Sequence, residues 1–233
     1  MSAGGPGRLG SPRVHLRNTD STNERAKELA LEGAPHGTLV TAAQQSAGRG
    51  RQGRSWVAPP GRALLCSLVL RDPPRLLPLA AGVAVRDVAG PEALVKWPND
   101  VLLERRKVAG ILVEGRPQEG WAVLGVGLNV ALRPQDFPPE LRERAGTLGL
   151  SPDELEPMLE RLLTALERWI YASEHEVLEA FRGRDALLDR PVRWSGGAGR
   201  GAGIDGDGRL VVATGDGTVA LEAGEVHLEP SSA

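Results

Sequence analysis

Short apolar runs separated by turn-forming residues occupy residues 14–130, long stretches with helical spacing occupy 154–188, and short apolar alternations return after Pro191. Val14 to Leu16 reads as a short strand. Ser21, with Glu24 three residues on, predicts a capping box that opens a helix running to about Glu32. Gly33 and Pro35 end it, and Thr38 to Ala43 reads as a strand. Ala63 to Arg71 is continuously apolar, which predicts a strand buried on both faces. Leu76 to Ala89 has a helical pattern. Leu94 to Trp97 is a strand that turns at Pro98-Asn99-Asp100 into Val101 to Leu103, and the polar turn Glu104-Arg105-Arg106 leads into Lys107 to Glu114. In the apolar strand Trp121 to Val130, glycines at 125 and 127 predict close approach by another backbone or a ligand.

Four strands linked mainly by hairpins predict a mixed or antiparallel sheet packed with helices, an α+β fold. Pro134 to Leu150 is loop-like, with a short helical piece near Leu141. Ser151 and Pro152 predict a helix start, and Glu154 to Tyr171 places Leu155, Met158, Leu159, Leu162, Leu163, Leu166 and Ile170 on one face. A second helix is expected over about Glu174 to Leu188. The Gly-rich remainder, with alternations at 191–194, 209–212, 219–221 and 226–228, predicts a small SH3-like β-barrel. The expected organisation is a disordered N-terminus over 1–12, a main domain over 13–188 and the barrel over 189–233.

Composition narrows the function classes. A net charge of −2 over 233 residues gives no global case for binding nucleic acid or an anionic membrane; the basic character is local, in the segment Arg49 to Arg54. Aromatic residues make up 3%, so the core must be built from Leu, Val and Ala. The one cysteine, Cys66, lies in an apolar run and reads as a small core residue. No stretch has the length and apolarity of a signal peptide or a membrane span, and the expected location is cytoplasmic.

The candidate chemistry sits in two places. Between Gln44 and Trp56, Gly48, Gly50 and Gly53 alternate with Arg49, Arg51 and Arg54. Glycines let backbone N–H groups approach an anion, and arginines supply forked donors that match phosphate or carboxylate oxygens. A solvated loop or an RNA-binding patch would have the same composition. About forty residues later come Lys96-Trp97-Pro98-Asn99-Asp100 and Lys107-Val108-Ala109-Gly110-Ile111-Leu112-Val113-Glu114. Gly197 to Ala202 nearly matches a dinucleotide fingerprint, but a strand rather than a helix follows, so it reads as a hairpin loop. The four histidines lack metal-ligand spacing, and no metal ligands are assigned.

Ser21-Thr22-Asn23, Gln45, the Gly48 to Trp56 loop, Lys96 to Asp100, Lys107 to Glu114 and Gly127-x-Asn129 together resemble the biotin protein ligases. The resemblance runs from about Val14 into the C-terminal unit, through Gly203-Ile204-Asp205 and Gly224-Glu225-Val226. It implies a class II synthetase-like catalytic domain, biotin and ATP as substrates, Mg²⁺, and a biotin carboxyl carrier domain as partner. It also implies two steps, in which biotin's carboxylate attacks the α-phosphate of ATP and a carrier lysine then attacks the biotinyl-5′-adenylate. By the resemblance Lys107 contacts the carboxylate and α-phosphate, and Arg51 holds the adenylate. Arg49 and Gly50 bind phosphate, and Arg54 and Trp56 shape the closure of a loop that is mobile when empty. Ser21, Thr22, Asn23 and Gln45 bond biotin's ureido ring, and Gly110 allows close approach. Lys96 and Asp100 serve the carrier lysine and the site's charge balance, and Asn99 belongs to the substrate-binding set. Trp97 packs on either the biotin ring or the sheet, and Asn129 either lines the adenylate site or caps a strand.

Some family members begin with a DNA-binding winged helix; here the Ser-Thr-Asn motif starts at residue 21, so the resemblance implies a ligase without repressor activity. Some relatives order an aromatic residue over adenine, for which only Phe137 is available between Asn129 and Trp169. A lipoate ligase is the neighbouring reading, and a non-catalytic nucleic-acid-binding module is the rival from another class. An exposed sheet edge would allow a homodimer.

Overall fold

The computed structural model describes residues 8–228, so the expectation for residues 1–7 lies outside the described residues. The looseness expected through residue 12 does not hold beyond them. Leu9 is buried, its N–H donates to Glu167 Oε1, and the Gly10 N–H donates to the Gly37 carbonyl. An apolar side chain in a chain-terminal segment is enough to dock it.

The elements, in order, are β1 (Arg13–Thr19), α1 (Thr22–Leu31), β2 (Leu39–Gln45), β3 (Ala63–Arg71), α2 (Leu77–Ala89), β4 (Leu94–Lys96), β5 (Asp100–Leu103), β6 (Arg106–Arg116) and β7 (Trp121–Asn129). They continue with α3 (Leu155–Ile170), α4 (Glu174–Arg182), β8 (Pro191–Trp194), β9 (Gly197–Ile204), β10 (Leu210–Thr214), β11 (Gly217–Leu221) and β12 (His227–Leu228). The first seven strands form one mixed sheet in the order β1-β2-β3-β7-β6-β5-β4, parallel only between β1 and β2.

The run of apolar residues in β3 follows from its place near the sheet centre. Leu64, Cys66, Leu68 and Leu70 enter the main core with α2 and α3, whereas Val69 meets α1 and Ala63 and Leu65 meet Leu132 and Phe137 on the other face. Alternate side chains thus leave opposite faces, and both faces are covered. The amphipathic α3 buries Met158, Leu159, Leu162, Leu166, Trp169 and Ile170.

The second helix after 170 stops at Arg182 rather than near Leu188, because Asp185 enters a parallel bridge with Val95 at the edge of β4. Backbone bonds from Val95 N–H to the Arg184 carbonyl and from Ala186 N–H to the Val95 carbonyl draw the chain out of the helix. The capping box in this region belongs to Ser173 and Glu176.

The last five strands form an antiparallel sheet in the order β11-β10-β9-β8-β12. Residues 197–202, read from the sequence as a hairpin loop, are instead the start of β9. Glycine makes a poor strand by propensity, yet a Cβ at Gly199 or Gly201 would collide with the carbonyls of Ala213 and Leu187, so close backbone packing selects it here. Val192, Ile204, Leu210, Val212 and Val226 join the same buried cluster as α2. No helix among the described residues is long and apolar enough to cross a membrane.

Asp185 gives this junction a pH dependence. Its Oδ1 accepts from the Leu187 N–H at 2.8 Å, while the buried Oδ2 has no partner among the described residues, and burial pushes the carboxyl up to about 6. The folded state therefore holds the proton more tightly than the unfolded state, and this residue's contribution to stability falls as pH rises towards 6. Asp185→Asn keeps the acceptor and removes the buried charge. It is expected to raise unfolding stability by on the order of 2 kcal/mol at about pH 8, with the gain vanishing near pH 4. Urea denaturation at the two pH values measures this; an equal loss at both would mean that Asp185 acts through packing instead.

Candidate active site

One face of the central sheet is left bare by glycine. On that face β7 contributes Trp121 and Val123, which pack with α1, then Gly125, Gly127 and Asn129. Gly125 pairs with Ser67 of β3 and Leu112 of β6, and Gly127 pairs with Leu65 and Gly110. The missing side chains open a cavity of about 830 Å³ between α1, the segment 49–57 and the loop around Phe137 to Ala145.

At one end the wall is neutral and polar. Ser21, Thr22 and Asn23 are buried at the N-terminus of α1. The expected Ser21–Glu24 capping box does not form. Asp20 Oδ1 accepts from the Ser21 N–H at 2.6 Å, and Gln45 Oε1, arriving from β2, accepts from the Thr22 N–H at 2.7 Å. A helix N-terminus needs acceptors for its first donors, and Gln45 meets that need across the fold rather than along the chain. Glu24, freed from capping, pairs with Lys27 and with Arg49 of the glycine-arginine loop.

The other end is cationic. Lys107 Nζ lies 2.6 Å from Asp100 Oδ1, and Lys96 Nζ lies 3.8 Å from Oδ2 of the same carboxylate. Burial pulls the Lys96 ammonium below its ordinary pKa, with Asp100 opposing the shift. The Asn99 amide donates to the Ile111 carbonyl at 2.8 Å and its oxygen accepts from Arg51 Nη1 at 3.3 Å, which ties the loop arginine to the β4–β5 turn. Lys107 is fixed at its backbone. Its N–H donates to the Arg144 carbonyl at 2.7 Å and its carbonyl accepts from the Gly146 N–H at 2.8 Å. Asn129 donates to the Gly146 carbonyl at 2.9 Å, so it lines the cavity and also anchors this segment.

The loop folds back on itself through Trp56 N–H to the Gly48 carbonyl and Gly50 N–H to the Arg54 carbonyl, around a 3₁₀ turn at Arg51–Gly53. Gly48 is required, because a Cβ there would strike the Trp56 carbonyl. The Trp56 ring lies over Gly110 and Gly127, with Lys107 Nζ 5.6 Å from the ring centroid; its buried Nε1–H has no acceptor among the described residues. Arg54 reaches Glu225 of the C-terminal sheet at 2.5 Å. Seven Lys or Arg residues and three Asp or Glu residues line the cavity, so in a chain of net charge −2 this one surface is strongly cationic and suits a polyanion.

Every residue assigned a binding or catalytic role from the sequence lines this cavity except Trp97, whereas Gly48, Gly53 and Glu114 of the same motifs stand outside the lining. Trp97 is 2% exposed and its indole N–H donates to the Gly208 carbonyl at 3.0 Å. Trp97 follows the end of β4 and joins Val95 in the core, while Lys96 between them lines the cavity. Phe137 does line the cavity. Cys66 borders the cavity, but its side chain belongs to the main core on the other face of the sheet, where burial pushes the thiol up to about 12 and keeps it protonated and inert. The sequence assigns no site role to Arg105, Arg144 and Glu225 on the lining, or to Ser67 and Glu114 just behind it, although Glu114 and Glu225 stand in motifs that carry the resemblance. Ser67 has a detectable signal, as a single hydroxyl within the apolar Ala63 to Leu70 run.

Comparison with known proteins adds a family. Residues 16–130 match the model of the biotin/lipoate A/B protein ligase family. The chain is 38% identical over 158 residues to the bifunctional ligase/repressor BirA of Bacillus subtilis, covering 63% of this chain and 49% of that protein. It thus spans about half the length of that relative. It is 36% identical to the biotin–[acetyl-CoA-carboxylase] ligase of Mycobacterium tuberculosis, covering 91% of this chain and 88% of that one. Among solved structures, the biotin protein ligase from Aquifex aeolicus in complex with biotin and ATP superposes with a TM-score of 0.79 at 28% identity, covering 95% of this chain and all of that one.

Proposed function

This chain belongs to the biotin/lipoate A/B protein ligase family, and on that footing we propose that it is a biotin protein ligase, activating biotin with ATP and transferring it to a carrier lysine. The observation that carries the proposal is the two-ended cavity. A neutral hydrogen-bonding end at Thr22, Asn23 and Gln45 suits a cyclic urea, and a cationic end at Lys107, Lys96 and Arg51 suits a carboxylate meeting a triphosphate.

In the first step the carboxylate oxygen of biotin forms a bond to the α-phosphorus and the bond to pyrophosphate breaks. Two anions must meet, and the transition state spreads negative charge over the phosphoryl oxygens. Lys107 and Arg51 are the cations we assign to that charge, with Arg49 and Arg54 closing the loop over it. In the second step the amine of a carrier lysine attacks the mixed anhydride, forming an amide and releasing AMP. Exclusion of water protects the anhydride between the steps, and the glycine-arginine loop is the segment we assign to that closure.

Magnesium enters this proposal with the nucleotide. Among the described residues no cluster of three metal-ligating side chains exists, but an ion carried on phosphates needs only one or two protein carboxylates, and Asp100 and Glu225 line the cavity. Bound there, it would neutralise phosphate charge. The proposal also includes a carboxyl carrier domain as acceptor, a C-terminal unit from about residue 189 with SH3-like affinity, a cytoplasmic site of action, and a homodimer through an exposed sheet edge. The experiment that tests the function is exchange of labelled pyrophosphate into ATP, which is expected to require biotin.

A further inference from the structure

We infer that Glu114, which stands outside the cavity, is a positioning residue that sets the direction of the hydrogen bonds in the biotin-facing wall and makes that wall acceptor-rich. The inference rests on reading the cavity as a biotin site.

The Asn23 amide is held at both ends. Its Nδ2 donates to Glu114 Oε2 at 2.8 Å and, at the longer distance of 3.4 Å, to the Leu112 carbonyl, and its Oδ1 accepts from Ser67 Oγ at 2.6 Å. Glu114 is in turn 3.3 Å from Lys27 Nζ. A carboxylate paired with an ammonium can only accept, so it obliges Asn23 to present its NH₂ to Glu114 and its oxygen to Ser67. From there the directions propagate. Ser67 Oγ lies 2.8 Å from Thr22 Oγ1, and Thr22 Oγ1 lies 3.0 Å from Gln45 Oε1. Three oxygen–oxygen contacts, from Asn23 through Ser67 and Thr22 to Gln45, are then served by two hydroxyl protons.

With the amide reversed, Asn23 would donate to Ser67, Ser67 to Thr22 and Thr22 to Gln45, and every contact would have its proton. Glu114, with the longer contact to the Leu112 carbonyl on the same side, opposes that arrangement. The wall is left one proton short, with unfilled acceptor capacity at Thr22 and Gln45, which line the cavity, while Ser67 is fully buried behind them. A ligand N–H supplies the missing proton; a ligand carbonyl or a thioether cannot. Glu114 thereby favours a cyclic urea over an acid whose ring carries no N–H, such as lipoate, without touching either.

The test uses titration calorimetry of biotin and ATP on the full chain, with Glu114→Gln, Asn23→Asp and the double variant, each checked for folding by thermal melting. Glu114→Gln lets the Asn23 amide reverse, and biotin affinity is expected to fall by about tenfold to hundredfold with ATP affinity unchanged. Asn23→Asp alone sets two carboxylates face to face and should also lose biotin. In the double variant the new amide at position 114 donates to an acceptor-only carboxylate at position 23, Ser67 still donates to that carboxylate, and biotin affinity recovers. A biotin analogue methylated on one ureido nitrogen should lose more affinity with the natural chain than with Glu114→Gln.

Unchanged biotin binding in Glu114→Gln, or a double variant no better than either single one, would overturn the inference and leave the ligase reading standing. Failure of the natural chain to bind biotin would overturn the ligase reading itself. If Glu114→Gln does not fold, the double variant alone decides, because recovery requires the restored direction.

Discussion

Replacing Lys107 with alanine is expected to lower biotin-dependent pyrophosphate exchange by about 10²- to 10³-fold while leaving the melting temperature close to that of the natural chain. The size follows from position. Lys107 Nζ is held 2.6 Å from Asp100 and 5.6 Å from the Trp56 ring centroid, on a strand whose backbone is bonded to the 144–146 segment. It is therefore an oriented cation at the cationic end of the cavity, where a carboxylate would have to approach a phosphate. Losing it removes attraction for both anions and takes from Asp100 its short ion pair, leaving the longer one to Lys96 at 3.8 Å, which adds repulsion. Because the side chain is about one-third exposed and its backbone bonds survive the substitution, the fold should not depend on it. Steady-state exchange with varied biotin and ATP measures the loss. A fall confined to the apparent affinity for biotin, with the maximal rate intact, would make Lys107 a binding residue and remove it from the transition state.

Gly125→Ala should abolish measurable biotin binding, a loss of at least about a hundredfold, at a stability cost of about 1–3 kcal/mol. A Cβ at Gly125 would overlap Asn23 Oδ1. Asn23 cannot step aside, because Ser67 and Glu114 hold its two ends and Leu112 lies behind it. Relief must come from moving α1, which carries Ser21 and Thr22 with it. Calorimetry and thermal melting together test the claim that this glycine exists for the wall rather than for the strand. A variant that loses stability and still binds biotin would refute it.

Legibility differs sharply between the loop and the wall. The glycine-arginine segment and the two lysine motifs are readable because their chemistry is local: donors and backbone freedom occur within a few residues of one another. The strands around them are readable too, since β3 is apolar at nearly every position and β7 shows its glycines. What escapes is non-local. Ser67 and Glu114 acquire meaning only when β3, β6 and α1 bring them onto Asn23, across sequence separations of 44 and 91 residues. The Ser21–Glu24 pattern matches a capping box, yet Asp20 takes the Ser21 N–H that Glu24 would cap, and Arg49 and Lys27 take Glu24. Trp97 stands in a motif whose Lys96, Asn99 and Asp100 line the cavity, yet its indole turns to the core and to the Gly208 carbonyl, a partner 111 residues away. Gly197 to Ala202 misleads because propensity disfavours glycine in strands, whereas tight backbone packing against Leu187 and Ala213 demands it.

The central claim is that one cavity brings a cyclic urea carboxylate to the α-phosphate of ATP. Pyrophosphate exchange into ATP, measured on the purified chain with Mg²⁺ and with biotin, lipoate or no acid added, tests it most directly. The account predicts exchange that depends on biotin, with lipoate no better than the blank. Exchange driven by lipoate and not by biotin, or none with either acid, would contradict it.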